Sequence, residues 1–131
     1  MSPAKPRLLL VDDAVTSRLA LYGMLVGRFD VHTATDGASG IAKAREVQPH
    51  IILLDVVMPV MGGLEACRIL RDDPATAACP IILVTSLNDE WDIEAGYVNG
   101  CTDYIIKPVD REELLAKVDS WLAAALGDAA S

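Results

Sequence analysis

The stretch that decides the fold is Leu8-Leu9-Leu10-Val11-Asp12-Asp13, an apolar run that ends in two acids. A second run of the same kind, Ile51-Ile52-Leu53-Leu54, ends in Asp55. A short apolar run bounded by polar residues is typical of a strand that is buried on both faces of a parallel sheet. The acids therefore mark the carboxyl ends of two strands, and this edge of an open α/β sheet is where ligands bind.

Apolar strand candidates alternate with helical patterns five times along the chain. The candidates are Arg7 to Val11, Asp30 to Ala34, Ile51 to Leu54, Ile81 to Thr85 and Asp103 to Ile106. This alternation predicts a parallel five-stranded sheet with helices on both faces, and right-handed crossovers leave few topologies. We expect an α/β fold of the (βα)5 flavodoxin-like type, a three-layer sandwich with strand order 2-1-3-4-5.

Two helices have a clear apolar periodicity. Residues at intervals of four, three and four predict one apolar stripe on a first helix that ends near Gly27: Val15, Leu19, Tyr22 and Val26. The last helix is predicted to begin near Asp110 and to face the core with Leu114, Val118, Trp121 and Ala125. We expect residues 1–6 to be an N-terminal extension, residues 7–126 to be the single domain, and residues 127–131 to be a frayed tail.

Composition excludes several classes of function. The net charge of −8 and the scattering of the eleven Lys and Arg residues argue against a nucleic-acid-binding face. No apolar run approaches the ~20 residues that span a bilayer. The three cysteines, Cys67, Cys79 and Cys101, are an odd number without CxxC spacing, which favours reduced thiols over disulfides or a zinc site. We therefore expect a soluble, cytoplasmic protein without membrane or nucleic-acid partners.

The strand ends together predict a site for a metal and a phosphate. If the first and third strands are neighbours, Asp12, Asp13 and Asp55 share one pocket. Three carboxylates that close repel one another, so either their pKa values rise or cations compensate the charge. Oxygen ligands of this kind suit Mg²⁺. Thr85 ends the fourth strand and Lys107 follows the fifth, so a hydroxyl donor and an ammonium reach the same edge. These are the parts that phosphoryl transfer needs, and Asp55 is the candidate nucleophile.

The chain resembles the receiver domain of two-component response regulators, particularly the single-domain, chemotaxis-regulator-like type. The matching residues run from about Arg7 to Leu122. They are the acidic pair Asp12-Asp13, Asp55-Val56-Val57-Met58-Pro59 with Gly62-Gly63, Thr85-Ser86, and Lys107-Pro108. Each of these signals is weak alone, whereas the whole set in this order and at this spacing is highly specific.

The resemblance implies a role for each matching residue. Asp55 would accept the phosphoryl group, and Asp13, Asp55 and the backbone carbonyl of Val57 would bind Mg²⁺ directly, with Asp12 acting through water. Thr85 and Lys107 would bind phosphoryl oxygens, and the small Ser86 would leave the pocket open. Tyr104 would be the aromatic switch that turns inward when Thr85 moves, and the Lys107-Pro108 bond would be cis. Mn²⁺ would substitute for Mg²⁺.

The resemblance also implies partners. A histidine kinase or histidine phosphotransfer protein would supply the phosphoryl group, and the target protein would bind the face formed by the fourth helix, fifth strand and fifth helix. The chain would be a monomer or weak dimer that signals by protein binding. It would assist its own phosphorylation and dephosphorylation without turning over an independent substrate.

Other interpretations stay open at this point. Asp12-Asp13 is also a common helix N-cap pattern, and Asp55 with the following glycines is compatible with a surface turn. An Mg²⁺-dependent phosphohydrolase would share the Asp nucleophile, but such enzymes usually need an acid where Val57 stands. A structural interaction module is a third possibility. The chain is either a complete regulator, which Met1 and the short tail weakly favour, or a receiver cut from a larger hybrid kinase or regulator.

Overall fold

The computed structural model describes residues 4–130, with the backbone alone for residues 127–130. Within this range strands and helices alternate in the order β1 (Arg7–Val11), α1 (Val15–Leu25), β2 (Asp30–Ala34), α2 (Gly37–Val47), β3 (Ile51–Leu54), α3 (Gly63–Asp72), β4 (Ile81–Thr85), α4 (Glu90–Val98), β5 (Asp103–Ile106) and α5 (Arg111–Ala130). The strands are parallel, in the order β2-β1-β3-β4-β5. The predicted fold and strand order are confirmed.

The sheet separates two apolar cores. In β1, Leu8 and Leu10 pack with residues of α1 and α5, whereas Leu9 and Val11 pack on the opposite face with residues of α2 and α3. Every residue of β3 and β4 is buried. Because helices cover both faces, these strands are apolar at nearly every position instead of alternating. Full burial of each such side chain contributes about 1.5–3 kcal/mol to the free energy of unfolding.

The first helix forms where the sequence predicted it, but its predicted stripe does not face the core. Val15 and Leu19 are 58% and 63% exposed, and Tyr22 and Val26 are also exposed. Leu21 and Leu25 are buried instead, on a different side of the helix. Apolar residues lie on several sides of α1, so the spacing of one stripe did not identify the buried face.

The last helix differs from its prediction near its end. Leu114 and Val118 are buried as expected, but Ala125 is exposed, and Leu115 and Leu122 complete the buried side. The helix continues to Ala130, past the predicted start of the frayed tail. A glycine inside a helix costs only about 1 kcal/mol relative to alanine, so Gly127 need not end it. Ser131 and residues 1–3 of the predicted extension lie outside the described residues.

Candidate functional site

Three carboxylates meet at the carboxyl ends of β1 and β3. These strands are neighbours, with Val11 opposite Leu54, so the residues that follow them lie side by side. One carboxylate oxygen each from Asp12, Asp13 and Asp55 lies within 4.8 Å of the other two. Asp12 and Asp55 are only 1% and 8% exposed, whereas Asp13 is exposed. The strand order therefore brings together residues that are more than forty positions apart in sequence.

The first turn of α1 fixes Asp12. One of its carboxylate oxygens accepts the N–H of Ala14 at 2.9 Å, and the other accepts the hydroxyl of Ser17. Arg18 donates to the backbone carbonyl of Asp12 at 2.9 Å. Asp12 is thus not the N-cap, a position that Ala14 occupies without a side-chain bond. Sequence reasoning missed Ser17 and Arg18; their signal was a hydroxyl and a guanidinium within one helical turn of the acidic pair.

Asp55 is held by the loop that follows it. Its N–H donates to the carbonyl of Val11 at 2.9 Å, and the N–H of Val57 points to its carboxylate at 3.3 Å. The loop returns so closely that a Cβ on Gly63 would overlap the backbone carbonyl of Asp55. Gly63 also donates its N–H to the carbonyl of Val56 at 2.8 Å. A glycine is therefore required there for α3 to begin beside Asp55.

Lys107 bridges two of the three acids. Its ammonium lies 3.0 Å from a carboxylate oxygen of Asp12 and 3.1 Å from one of Asp55. Burial acts to lower the pKa of Lys107, but the hydrogen bonds and charges of Asp12 and Asp55 outweigh burial and raise it above its ordinary value. The peptide bond between Lys107 and Pro108 is cis. One ammonium beside three carboxylates leaves an excess of negative charge.

That excess makes the cluster suitable for a divalent cation. Carboxylate oxygens are the ligands that Mg²⁺ prefers, and Mg²⁺ is usually bound by one or two carboxylates together with waters and a phosphate oxygen. The exposed position of Asp13 leaves one side of the cluster open to solvent. The donor set and its accessibility therefore fit Mg²⁺.

Thr85 and Tyr104 both form hydrogen bonds with the backbone of Leu87, beside this cluster. Thr85 is buried at the end of β4, and its hydroxyl accepts the N–H of Leu87 at 3.4 Å. Tyr104 is 7% exposed, and its hydroxyl donates to the carbonyl of Leu87 at 2.8 Å. Burial raises the pKa of Tyr104 to about 12, with smaller contributions from Asp92, Cys101 and Asp55. Ser86, between Thr85 and Leu87, is exposed.

The sequence matches the model of a known protein family. Residues 8–119 match the response regulator receiver domain. The chain belongs to that family. Among curated proteins, PilH of Pseudomonas aeruginosa is 41% identical over 118 residues, covering 89% of this chain and 98% of PilH. The match to the transcriptional regulator RpaA of Synechocystis is 38% identical and covers 49% of that protein.

Solved receiver structures share the fold closely. Chemotaxis protein CheY4 of Vibrio cholerae superposes with a TM-score of 0.84 at 30% identity, over 89% of this chain and 98% of that one. The receiver domain of a sensor histidine kinase from Pseudomonas aeruginosa has a TM-score of 0.86 at 29% identity, over 92% and 99% of the chains. That structure contains a magnesium ion coordinated in its active-site cleft. Receiver domains bind Mg²⁺ at an acidic cluster of this kind.

Membership of this family establishes the general function. The protein is a phosphorylation-activated switch of two-component signalling, and a histidine kinase or phosphotransfer protein is its phosphoryl-donating partner. Among residues 4–130, no helix combines the length and apolar character that crossing a membrane requires.

Proposed function

We propose that Asp55 is the residue that accepts the phosphoryl group. The observation that carries the proposal is the position of its carboxylate, at the end of β3, 3.1 Å from Lys107 and within one cluster with Asp12 and Asp13. Asp12 is the more deeply buried acid, and bonds from Ala14, Ser17 and Lys107 occupy its oxygens. Asp55 accepts fewer bonds of this kind, and Val57 in the following loop is exposed, which suits a nucleophile that a donor must reach.

Asp13, Asp55 and the backbone carbonyl of Val57 would hold Mg²⁺ directly, and Asp12 would act through water. When bound, the ion neutralises charge on the phosphoryl oxygens. Mn²⁺ would substitute, because it prefers the same octahedral oxygen ligands.

The phosphoryl transfer would use the side chains of Asp55, Lys107 and Thr85. A carboxylate oxygen of Asp55 attacks the phosphorus of the donor phosphohistidine, the P–N bond breaks, and its electron pair stays on the imidazole. The ammonium of Lys107 binds one phosphoryl oxygen, and the hydroxyl of Thr85 turns from Leu87 to bind another. The exposed Ser86 leaves room for the incoming group. A groove of about 270 Å³ lies beside Lys107, between α1 and Pro108-Val109, and would admit part of the donor protein.

The output surface of the protein is formed by α4, β5 and α5. Trp91 and Val98 on α4 are 81% and 77% exposed, and Tyr97 is exposed beside them. A shallow cleft of about 260 Å³ runs between Trp91 and Asn99. Exposed apolar patches of this kind mark protein-binding sites. Phosphorylation would change this surface through Thr85, Leu87 and Tyr104, so that a downstream protein binds one arrangement better.

The remaining properties of the chain follow from this role. Residues 7–126 would be the receiver unit and residues 1–6 an extension before it. The protein would act in the cytoplasm as a monomer or weak dimer, bind no nucleic acid, and turn over no independent substrate. Sustained hydrolysis of a phosphoester, beyond one phosphoryl group per chain and its slow loss, would contradict the last of these.

Substitution of the acceptor tests the proposal directly. Incubation with a small-molecule phosphodonor and Mg²⁺ should add one phosphoryl group to the wild-type chain, and peptide mass mapping should place it on Asp55. Asp55→Ala should abolish the labelling, because the other carboxylate in contact with Lys107, that of Asp12, is more deeply buried and is bound by Ala14 and Ser17. Asp72→Ala is the matched control, since Asp72 is exposed at the far end of α3. Labelling that persists in Asp55→Ala would place the nucleophile elsewhere.

A further inference from the structure

Tyr104 packs against a glycine of α4. A Cβ built on Gly96 would lie 3.2 Å from the Cδ2 and Cε2 atoms of the Tyr104 ring and 2.9 Å from Cδ1 of Leu83. Leu83 is fully buried and Tyr104 nearly so. Close packing leaves such neighbours little room to move aside, and extra atoms in a well-packed core are destabilising. A Cβ at position 96 would therefore require Tyr104 and Leu83 to shift by a few tenths of an ångström, which disfavours the buried, inward position of the Tyr104 ring.

The same ring connects α4 to the loop that carries the signal. Its hydroxyl donates to the carbonyl of Leu87, whose N–H points to the hydroxyl of Thr85. Tyr104 also lies opposite Leu83 in the sheet, so one side chain contacts β4, the loop after it and α4. A change in the space available to this ring would therefore act both on the loop beside the proposed phosphorylation site and on α4 in the proposed output surface.

A second helical glycine shows what is particular about Gly96. Gly23 lies inside α1, where a Cβ would meet no atom within 4 Å. Both glycines lower helix stability by about 1 kcal/mol relative to alanine. At position 23 nothing within the chain requires a glycine, whereas at position 96 a larger residue would press on Tyr104 and Leu83.

We propose that Gly96 is a positioning residue that lowers the free energy of the inward arrangement of Tyr104. The proposal rests on the function proposed above, in which the phosphoryl group acts through Thr85 and Tyr104. A lower free energy for the inward arrangement raises its population before phosphorylation. Phosphorylation then has to change that population by less. The unphosphorylated chain then already presents its output surface to the target for a substantial fraction of the time.

The test is Gly96→Ala in the full chain labelled with 3-fluorotyrosine. The fluorine resonance of Tyr104, assigned with Tyr104→Phe, should show a second, solvent-accessible population in the variant. Beryllium fluoride with Mg²⁺ serves as the phosphoryl mimic, and its affinity should fall about 5-fold or more, because ligand affinity drops with the population of the competent state. Readout by fluorine resonance and by mimic affinity distinguishes positioning from a general change in stability.

Two comparisons isolate the contact. Gly23→Ala makes the same chemical change in an open part of α1 and should leave both the Tyr104 resonance and the mimic affinity as in wild type. In a Tyr104→Leu background, Gly96→Ala should no longer change the affinity, because the ring that it presses on is gone.

Specific results would overturn the proposal. If Gly96→Ala leaves the resonance and the affinity unchanged, as Gly23→Ala does, Gly96 is only a packing residue. If Gly96→Ala does not fold, the wild-type resonance decides alone: a Tyr104 signal that is mainly accessible to a soluble paramagnetic agent before the mimic is added contradicts the proposal. Failure of the proposed function is a different result, namely a wild-type chain that does not bind the mimic or binds it equally well after Asp55→Ala.

Discussion

The carboxyl ends and the amino ends of the strands form two edges of the sheet, and the polar groups at these two edges have opposite kinds of partner. At the carboxyl edge, where the strands end, three carboxylates cluster, and the ammonium of Lys107 contacts two of them, those of Asp12 and Asp55. At the amino edge, where the strands begin, cationic side chains donate hydrogen bonds to backbone acceptors. Arg71 donates to the carbonyls of Gly100, Ala77 and Cys79 and to the hydroxyl of Thr102.

The difference separates stability from function within one sheet. The contacts of Arg71 join the end of α3 to the segments that precede β4 and β5, and three of them supply a donor to partly buried acceptors. The carboxyl edge keeps an excess of negative charge, which costs folding free energy but creates affinity for a cation and a phosphoryl group. Substitutions at the two edges should therefore change stability in opposite directions.

The largest effect is expected at the amino edge. Arg71→Met keeps the aliphatic stem but leaves several acceptors without a donor, and it should lower the free energy of unfolding by about 2–4 kcal/mol. Urea denaturation measures this change. Arg68→Met is the matched control, because Arg68 is exposed on the same helix and should cost less than about 0.5 kcal/mol. Equal effects of the two substitutions would show that the carbonyl contacts of Arg71 do not stabilise the fold.

A smaller effect of opposite sign is expected at the carboxyl edge. Asp13→Asn removes one of three mutually repelling charges and should raise stability without Mg²⁺ by about 1 kcal/mol. The wild type should gain about 1.4 kcal/mol from Mg²⁺ at ten times its Kd, and the variant should gain much less. Thermal unfolding with and without Mg²⁺ measures both quantities. Asp72→Asn should leave the Mg²⁺ response intact, and a full response in Asp13→Asn would exclude Asp13 as a ligand.

The smallest effect concerns a histidine at the amino edge. His50 accepts the N–H of Arg7 at 2.9 Å through Nδ1, and burial, followed by the charge of Arg7, lowers the pKa of His50. The unfolded chain therefore binds the proton more readily, so the stability from this contact is present above about pH 6.5 and is lost as the pH falls through the folded pKa. His50→Gln should flatten the change in stability between about pH 7.5 and 5.5, by about 0.5 kcal/mol. His32→Gln is the control, and an unchanged pH profile in His50→Gln would remove this assignment.

The comparison of the edges also explains what the sequence could predict. At the carboxyl edge the functional side chains stand directly after apolar runs, so the strand pattern alone places Asp12, Asp55, Thr85 and Lys107 at one edge. The strand bounds follow from the same pattern, whereas the order of the sheet was one of the few topologies that the pattern allows. The roles of these residues in phosphoryl transfer stay predictions.

The amino edge was not predictable in the same way. The partners of Arg71 are mostly backbone carbonyls, and the group that His50 accepts is a backbone N–H, so neither contact leaves a mark in the sequence. The buried face of α1 was missed because Leu21 and Leu25 compete with an equally regular stripe that begins at Val15. The importance of Gly96 was also invisible, since only the fold shows that Tyr104 occupies the space beside it.

The attachment of Asp12 to the first turn of α1 has a consequence for local dynamics. Ala14 and Ser17 bind the same carboxylate that contacts Lys107, so fraying of this turn also releases one arm of the acidic cluster. Local opening of a helix end occurs at low free energy in most proteins. We therefore expect hydrogen exchange of the amide protons at the start of α1 to change when the acidic cluster binds Mg²⁺, although these amides belong to a helix and not to a binding loop.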